Sequence, residues 1–211
     1  KKTNIEFILI SNKPGILKKL IDKNIKILKI KFKKLVPINT NFYSSHFKFD
    51  VYKYLSKNKD YSGILDLDMI AINIQPKILI QNIKRKINMV YDLNNKLNIK
   101  YNKTIIRSLN FCNKSKKNKP NWYGGEFILG NPNFFGEIYN NIIKLIPNYN
   151  KNLSSLHHQG DEMLLNSALQ LIKQNDKKKF KDISREKIIT RYWSINTKHK
   201  KKKLNYYLNH Y

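Results

Sequence analysis

Apolar residues in this chain recur in two rhythms. Short apolar runs bounded by turn residues read as strands, and stretches with apolar residues three or four apart read as helices. Ile5–Ser11 is an apolar strand that closes on the turn Asn12-Lys13-Pro14-Gly15, and Ile16–Lys23 then reads as a helix. Ile25–Phe32 alternates as a strand, with Ile25, Ile27 and Ile30 on one pattern, and Asn39–Ser45 is polar loop. Phe47, Val51, Tyr54 and Leu55 stand at helical spacing and predict a helix ending near Lys57. Ser62–Leu67 and Ile87–Tyr91 read as further strands. Residues 93–121 are rich in Asn and Lys, culminating in Lys114–Lys119, and read as irregular.

Past that stretch the pattern sharpens again. Gly125–Gly130 is extended, and Asn131-Pro132 predicts an N-cap followed by proline in the first turn. Phe135, Ile138, Ile142 and Leu145 form the apolar stripe of the helix so begun, and Pro147 is expected to stop it. A second helix runs from Asp161 to Gln174, with Leu165, Ala168, Leu169 and Ile172 inward, and Ile188–Ile195 is a last strand before the basic stretch Lys198–Lys203. Strands alternating with helices argue for an α/β sheet rather than a bundle. With neither an internal repeat nor a linker, the 211 residues read as a single domain, 1–211. The first residue is Lys1 rather than methionine, so the chain reads as a domain excised from a longer protein, with an anchor or additional domains left as open alternatives.

Composition changes this picture in three ways. Apolar residues make up 41% of the chain, which is globular composition despite the lysine load. No apolar run approaches the roughly 18 residues that cross a bilayer, and Cys112 is the single cysteine, so an intracellular, cytoplasmic setting is expected. The formal charge is +28, yet Arg85, Arg107, Arg185 and Arg191 are the only arginines. Lysine, asparagine and isoleucine dominate together, the bias of an AT-rich genome, so much of this charge reads as solvated surface. The remaining field attracts polyanions such as nucleotide diphosphates.

Three stretches carry chemistry. In Gly63-Ile64-Leu65-Asp66-Leu67-Asp68 an apolar strand ends in two carboxylates one residue apart. In extended chain such residues point to one side, and paired carboxylates suit Mn²⁺ or Mg²⁺ shared with substrate phosphates. In Trp122-Tyr123-Gly124-Gly125-Glu126-Phe127 paired glycines between aromatics permit close approach to a ligand. In His157-His158-Gln159-Gly160-Asp161-Glu162, Asp161 is placed as an N-cap and Glu162 complements the helix dipole, which alone would explain both. Only 14 carboxylates exist in the chain, however, and two fall together here.

In this order the three stretches resemble the GT-A glycosyltransferases, over roughly Ile5 to Ile195. The resemblance implies a GT-A type, Rossmann-like α/β fold with a mixed, mainly parallel sheet flanked by helices. It implies a hexosyltransferase taking a nucleotide diphosphate sugar, UDP-linked, to a glycan or glycoprotein acceptor. Asp66 and Asp68 take the metal role, with His199 as a third ligand. The first strand, ending at Ser11, receives the nucleotide, Lys48 meets the diphosphate, and Trp193 with Arg191 closes over the donor. The glycine strand and the Asp-Glu-x-x-x-Asn helix look most like the retaining blood-group-type α-1,3-galactosyl and N-acetylgalactosaminyl transferases. That family implies Glu162 as nucleophile, with Asp161, Asn166, Gly124, Gly125 and Glu126 around the sugars. The chain departs from it in having Gln159-Gly160 where the family has Trp-His, and in its shorter length. The glycogenin-like family is a near competitor, and an inverting GT-A enzyme is a further alternative.

Two other classes fit less well. A nucleic-acid-binding protein would explain the charge, but the acidic sites repel phosphates and no known recognition signature is present. A sugar-phosphate nucleotidyltransferase needs a glycine-rich phosphate loop after the first strand, which Asn12-Lys13-Pro14-Gly15 does not supply. We therefore expect no specific nucleic-acid partner. Affinity for random duplex DNA should fall away near physiological salt; tight, salt-resistant and sequence-selective binding would overturn the enzyme reading.

Overall fold

The first two apolar runs become parallel neighbours. In the computed structural model, which describes residues 5–17, 19, 25–71, 74–94, 103–113, 121–186, 188–191 and 208–210, β1 (Ile8–Ser11) pairs with β2 (Lys26–Lys29), Ile8 opposite Lys26. A short helix, α1 (Pro14–Leu17), starts inside the predicted turn, two residues earlier than the apolar pattern indicated.

Four strands form the sheet that carries the site. β3 (Ser62–Leu65), β6 (Phe127–Gly130), β5 (Met89–Val90) and β7 (Lys181–Asp182) lie in that spatial order. β6 runs antiparallel to both neighbours, and β5 runs parallel to β7. Gly63 faces Leu129 across the first pair, and a Cβ there would stand 2.0 Å from the Leu129 Cδ2 atom, so a side chain at 63 would require Leu129 to turn aside. A third sheet joins β4 (Met69–Ala71) to β9 (Leu208–His210) and β9 to β8 (Ile189–Arg191). The mixed α/β class expected from the sequence is the class observed, with parallel and antiparallel pairings in all three sheets taken together. β9 had no sequence signal, being three ordinary residues beyond the lysine run.

The helices pack into one core. These are α2 (Lys48–Leu55), α3 (Lys77–Lys84), α4 (Lys103–Asn113), α5 (Pro132–Lys151) and α6 (Asp161–Asn175). α6 lies at the centre, buried from Met163 through Gln170, and touches α5 and α4. A helix buried all round must place its polar residues against partners. The Ser167 hydroxyl donates to the Met163 carbonyl at 2.9 Å, and Asn166 and Gln170 reach a neighbouring loop described below.

Two expectations are corrected. The Asn- and Lys-rich region is not irregular throughout, because Ile105, Leu109 and Cys112 recur at helical spacing and are buried as the inner stripe of α4. Its polar residues cover the outer face and hid the stripe. Pro147 does not end α5, which continues to Lys151. An interior proline removes one helix bond and costs about 3 kcal/mol relative to alanine. Here Pro147 is exposed, and the turn beyond it is anchored by buried Tyr149 and by Asn148, whose amide donates to the Cys112 carbonyl at 3.0 Å.

The start of α5 follows expectation. Asn131 is extended, with φ −81° and ψ 166°, and its side-chain oxygen accepts from the Phe134 amide at 2.9 Å. Among the described residues no helix is long and apolar enough to cross a membrane. Replacing Asn131 by alanine should cost about 1 kcal/mol, read as a Tm lower by roughly 2–4 °C, whereas Asn131→Asp should retain most of the cap. An unchanged Tm for the alanine variant would mean that this cap contributes nothing.

Candidate active site

Lys48 opens α2 directly after a 3₁₀ turn, Tyr43–Phe47, and its largely buried ammonium needs counter-charges. The fold answers with carboxylates from two other elements. Its Nζ lies 2.6 Å from Asp66 Oδ1 and 2.8 Å from Asp66 Oδ2, just past β3. It lies 3.2 Å from Asp161 Oδ2 at the start of α6, and it donates to the Gly125 carbonyl at 3.5 Å. Burial works against the ammonium, but the charges of Asp161 and Asp66 outweigh it and hold the Lys48 pKa above the ordinary lysine value. Exposed ion pairs contribute about 0–1 kcal/mol. This one differs because the Asp161 side chain is only 7% exposed, so removing the lysine would strand a buried charge.

Glu162 is held from the glycine loop. Its Oε2 accepts from the Trp122 indole N–H at 3.0 Å and its Oε1 from the Gly125 amide at 3.3 Å. A Cβ on Gly125 would lie 3.2 Å from Glu162 Cγ and 3.3 Å from Asp161 Oδ2, so the glycine allows the loop to press against the mouth of α6. Gly124 is tighter still, since a Cβ there would stand 2.1 Å from the Tyr91 hydroxyl. The loop is clasped along one face of α6, at positions 162, 166, 170 and 173, which helical geometry puts in a row. Asn166 donates to the Tyr123 carbonyl at 2.9 Å and accepts from the Tyr123 amide, Gln170 donates to the Asn121 carbonyl at 3.4 Å, and Lys173 donates to the Tyr123 hydroxyl at 3.0 Å. Asn166, expected beside a sugar, therefore serves as a strand-like partner for Tyr123. Glu126 has a buried side chain, and its carbonyl accepts from the Asp66 amide at 3.1 Å.

The two acidic motifs differ locally from expectation. Asp66 and Asp68 are not in extended chain: the Met69 amide donates to the Asp66 carbonyl at 3.1 Å, closing a turn in which Asp68 is exposed. Asp161 is not the N-cap of α6. Gly160 is, without a side-chain bond, and Asp161 is the first helical residue, its amide donating to the Ser45 hydroxyl at 3.1 Å. A Cβ on Gly160 would meet the His158 ring at 2.5 Å, so the position has no room for a capping side chain.

A hard divalent cation fits the chemistry of the Asp66–Asp68 turn, which offers carboxylate oxygens at a sheet edge. Among the described residues no group of three or more His, Cys, Asp or Glu is gathered to hold a metal. A cation there would complete its shell from phosphate and water, the usual mode for Mg²⁺. His199 and Trp193 lie outside the described residues, and of Arg191 only the backbone is described, in β8. Ser11 is not part of the cluster; its hydroxyl accepts from the Lys13 amide and closes the turn after β1.

Sequence reasoning missed the second layer behind these acids. Ser45 accepts from Asp161 and donates to the Phe42 carbonyl at 2.7 Å, which helps hold Phe42 in the left-handed region at φ 56°. Tyr52 is wholly buried, and burial together with the charges of Asp161, Asp66 and Glu162 raises its pKa well above the ordinary range, so it stays a neutral phenol. His46 places Nδ1 3.2 Å from the Tyr43 carbonyl and Nε2 3.1 Å from the Tyr149 hydroxyl, which lies 2.6 Å from the Gln159 carbonyl. The two longest links of this layer, Ser45 to Asp161 and His46 to Tyr149, are chain crossings over a hundred residues apart.

Solved structures share this α/β backbone. The galactosyltransferase LgtC, in complex with donor and acceptor sugar analogs, matches over 99% of this chain and 77% of its own, with TM-score 0.59 and 10% identity. An active-site mutant of LgtC matches over the same shares, with TM-score 0.57 and 12% identity. Mouse xyloside xylosyltransferase 1, in its apo form, matches over 98% of this chain and 83% of its own, with TM-score 0.54 and 11% identity. At such identities the likeness is one of fold. No family model matches the chain, and no curated protein matches its sequence.

The His46 environment sets a pH dependence. Burial lowers its pKa, partly offset by the Asp161 charge and by the Tyr43 and Phe42 carbonyls. In the unfolded chain the ring takes up a proton near pH 6.5. The unfolded state then binds more protons, and stability present above about pH 6.5 is lost as pH falls through the lowered folded pKa. His46→Gln should therefore show a shallower fall in Tm between about pH 7 and pH 5 than the parent chain. Parallel curves would exonerate His46.

Proposed function

We propose that this chain transfers a hexose from a nucleotide diphosphate sugar, with UDP as the nucleotide, to the hydroxyl of a glycan or glycoprotein acceptor, using Mn²⁺ or Mg²⁺. One observation carries the reading: Lys48, Asp66, Asp161 and Glu162, from three separate elements, converge on the glycine loop at one sheet edge. The fold likeness to a galactosyltransferase solved with sugar analogs, and to a xylosyltransferase, supports a sugar donor and a sugar acceptor.

The roles follow from charge and access. Asp66 and Asp68, with His199 as third ligand, would hold the cation, whose chemistry when bound is Lewis-acid stabilisation of the diphosphate leaving group. Lys48 contributes a second positive charge, and Ser11 and Trp193 contact the nucleotide. Glu162 faces the sugar carbon as it becomes oxocarbenium-like, and stabilises or traps it with retention of configuration. The Trp122 indole and the Gly125 amide orient both Glu162 oxygens, so the carboxylate needs little rearrangement to act. Gly124 and Gly125 bring the backbone close to the sugars, with Glu126 and Asn166 fixing that backbone. A cytoplasmic setting accords with a single buried cysteine.

Calorimetry with UDP in Mn²⁺ and then in chelator tests the cation; equal binding in both would remove it. Asp68→Asn should abolish the metal-dependent part of nucleotide binding, because an amide does not replace a carboxylate's charge at a hard cation. Glu162→Gln should leave UDP affinity nearly intact while transfer falls by roughly a hundredfold or more. Were Glu162 only a helix-terminus charge, the variant would lose at most about 1 kcal/mol of stability and keep its turnover. A fully active Glu162→Gln enzyme would leave direct front-side attack by the acceptor as the route.

A further inference from the structure

We propose that Lys48 is an internal countercation, occupying Asp66 until a nucleotide diphosphate arrives, so that divalent cation and nucleotide enter the site together. This rests on the metal-dependent reading above and adds an order of binding to it.

The geometry is that of a filled cation position. An ammonium has three donors and no acceptor. Lys48 Nζ donates to Asp66, with Oδ1 at 2.6 Å and Oδ2 at 2.8 Å, and to the Gly125 carbonyl at 3.5 Å, and it forms an ion pair with Asp161 Oδ2 at 3.2 Å. A divalent cation that approaches Asp66 alone meets a positive charge already seated against both carboxylate oxygens. Repulsion between two cations sharing one carboxylate opposes its entry. The lysine has little reason to leave unaided, since both carboxylates compensate its largely buried ammonium.

A diphosphate changes the balance. Its oxygens give Lys48 new acceptors and supply the negative charge that two cations need in order to share the site. The ammonium then shifts from Asp66 towards phosphate, which lets the metal approach Asp66. Coupling of this kind is reciprocal: nucleotide strengthens metal binding by the same factor by which metal strengthens nucleotide binding. Removing the lysine's charge should uncouple the two, because Asp66 and Asp161 would then attract a cation without help.

Mn²⁺ binding followed by loss of the electron paramagnetic resonance signal of the free ion tests this on the full chain, with and without UDP. Lys48→Met and Lys48→Gln should bind Mn²⁺ alone roughly tenfold or more tighter than the parent chain. UDP should raise Mn²⁺ affinity by about tenfold or more in the parent and by far less in these two variants. Lys48→Arg keeps the charge and should behave as the parent, an outcome a purely steric role would not give. Neutral variants that fold only when Mn²⁺ is supplied count as the same result, since the ion then replaces the ammonium between Asp66 and Asp161. Folded Met and Gln variants that gain no Mn²⁺ affinity overturn the proposal, as do variants that stay unfolded with Mn²⁺. If the parent takes up Mn²⁺ with UDP but the variants gain nothing alone, only this proposal fails. If no form binds Mn²⁺ even with UDP, the metal-dependent reading fails with it.

Discussion

A single ammonium ties three elements of this fold together. Lys48 comes from α2, Asp66 from the edge of β3 and Asp161 from the mouth of α6, and each would be poorly placed without the others. The lysine is largely buried and needs counter-charges. Asp161 is nearly buried and would be an uncompensated charge. Asp66 stands where its strand turns, with its amide already committed to Glu126. A charge triangle of this kind sets the distance between the sheet edge and the central helix, and so determines where any ligand can sit.

The second constraint is α6 itself. Because this helix is surrounded by protein, its polar residues are found where a partner exists, along the face that meets residues 121–125. Glu162, Asn166, Gln170 and Lys173 each bond to that loop, which makes the loop a backbone extension of the helix. The arrangement gives the candidate carboxylate a rigid support: the same row of residues that satisfies buried polar groups also orients Glu162. Rigid second shells of this sort are what hold a reactive group in place through a reaction.

Charge works on two scales here. The chain as a whole carries +28, a field that draws anions towards its surface. Among the described residues at the site, Lys48 stands among Asp66, Asp161 and Glu162, and burial together with these three charges holds Tyr52 neutral. An anionic ligand is thus attracted to the protein and repelled at the last few ångströms unless a cation accompanies it. The excess lysine and the local acids are complementary rather than contradictory.

Local patterning was sufficient for much of this. Short apolar or alternating runs disclosed β1, β2, β3, β5, β6 and β8, the Asn131-Pro132 pair disclosed the start of α5, and the inward residues of α6 were read correctly, because each is dictated by neighbours a few residues away. The acidic motifs were legible as unusual carboxylates in a lysine-rich chain. Helix α4 was obscured because its outer face is as polar as a loop, and Pro147 misled because the stability of the turn after it comes from α4 rather than from α5. Lys48 was singled out among many lysines only by analogy; its pairing with Asp66 and Asp161 spans 18 and 113 residues along the chain, distances at which no periodicity operates. Trp122 and Ser45 became part of the site through contacts of the same long range. Sequence determined which segments fold into which elements, since backbone sterics and hydrophobic alternation act locally. Only the tertiary structure decided which charges meet, because burial and Coulomb attraction act between elements that packing alone brings together.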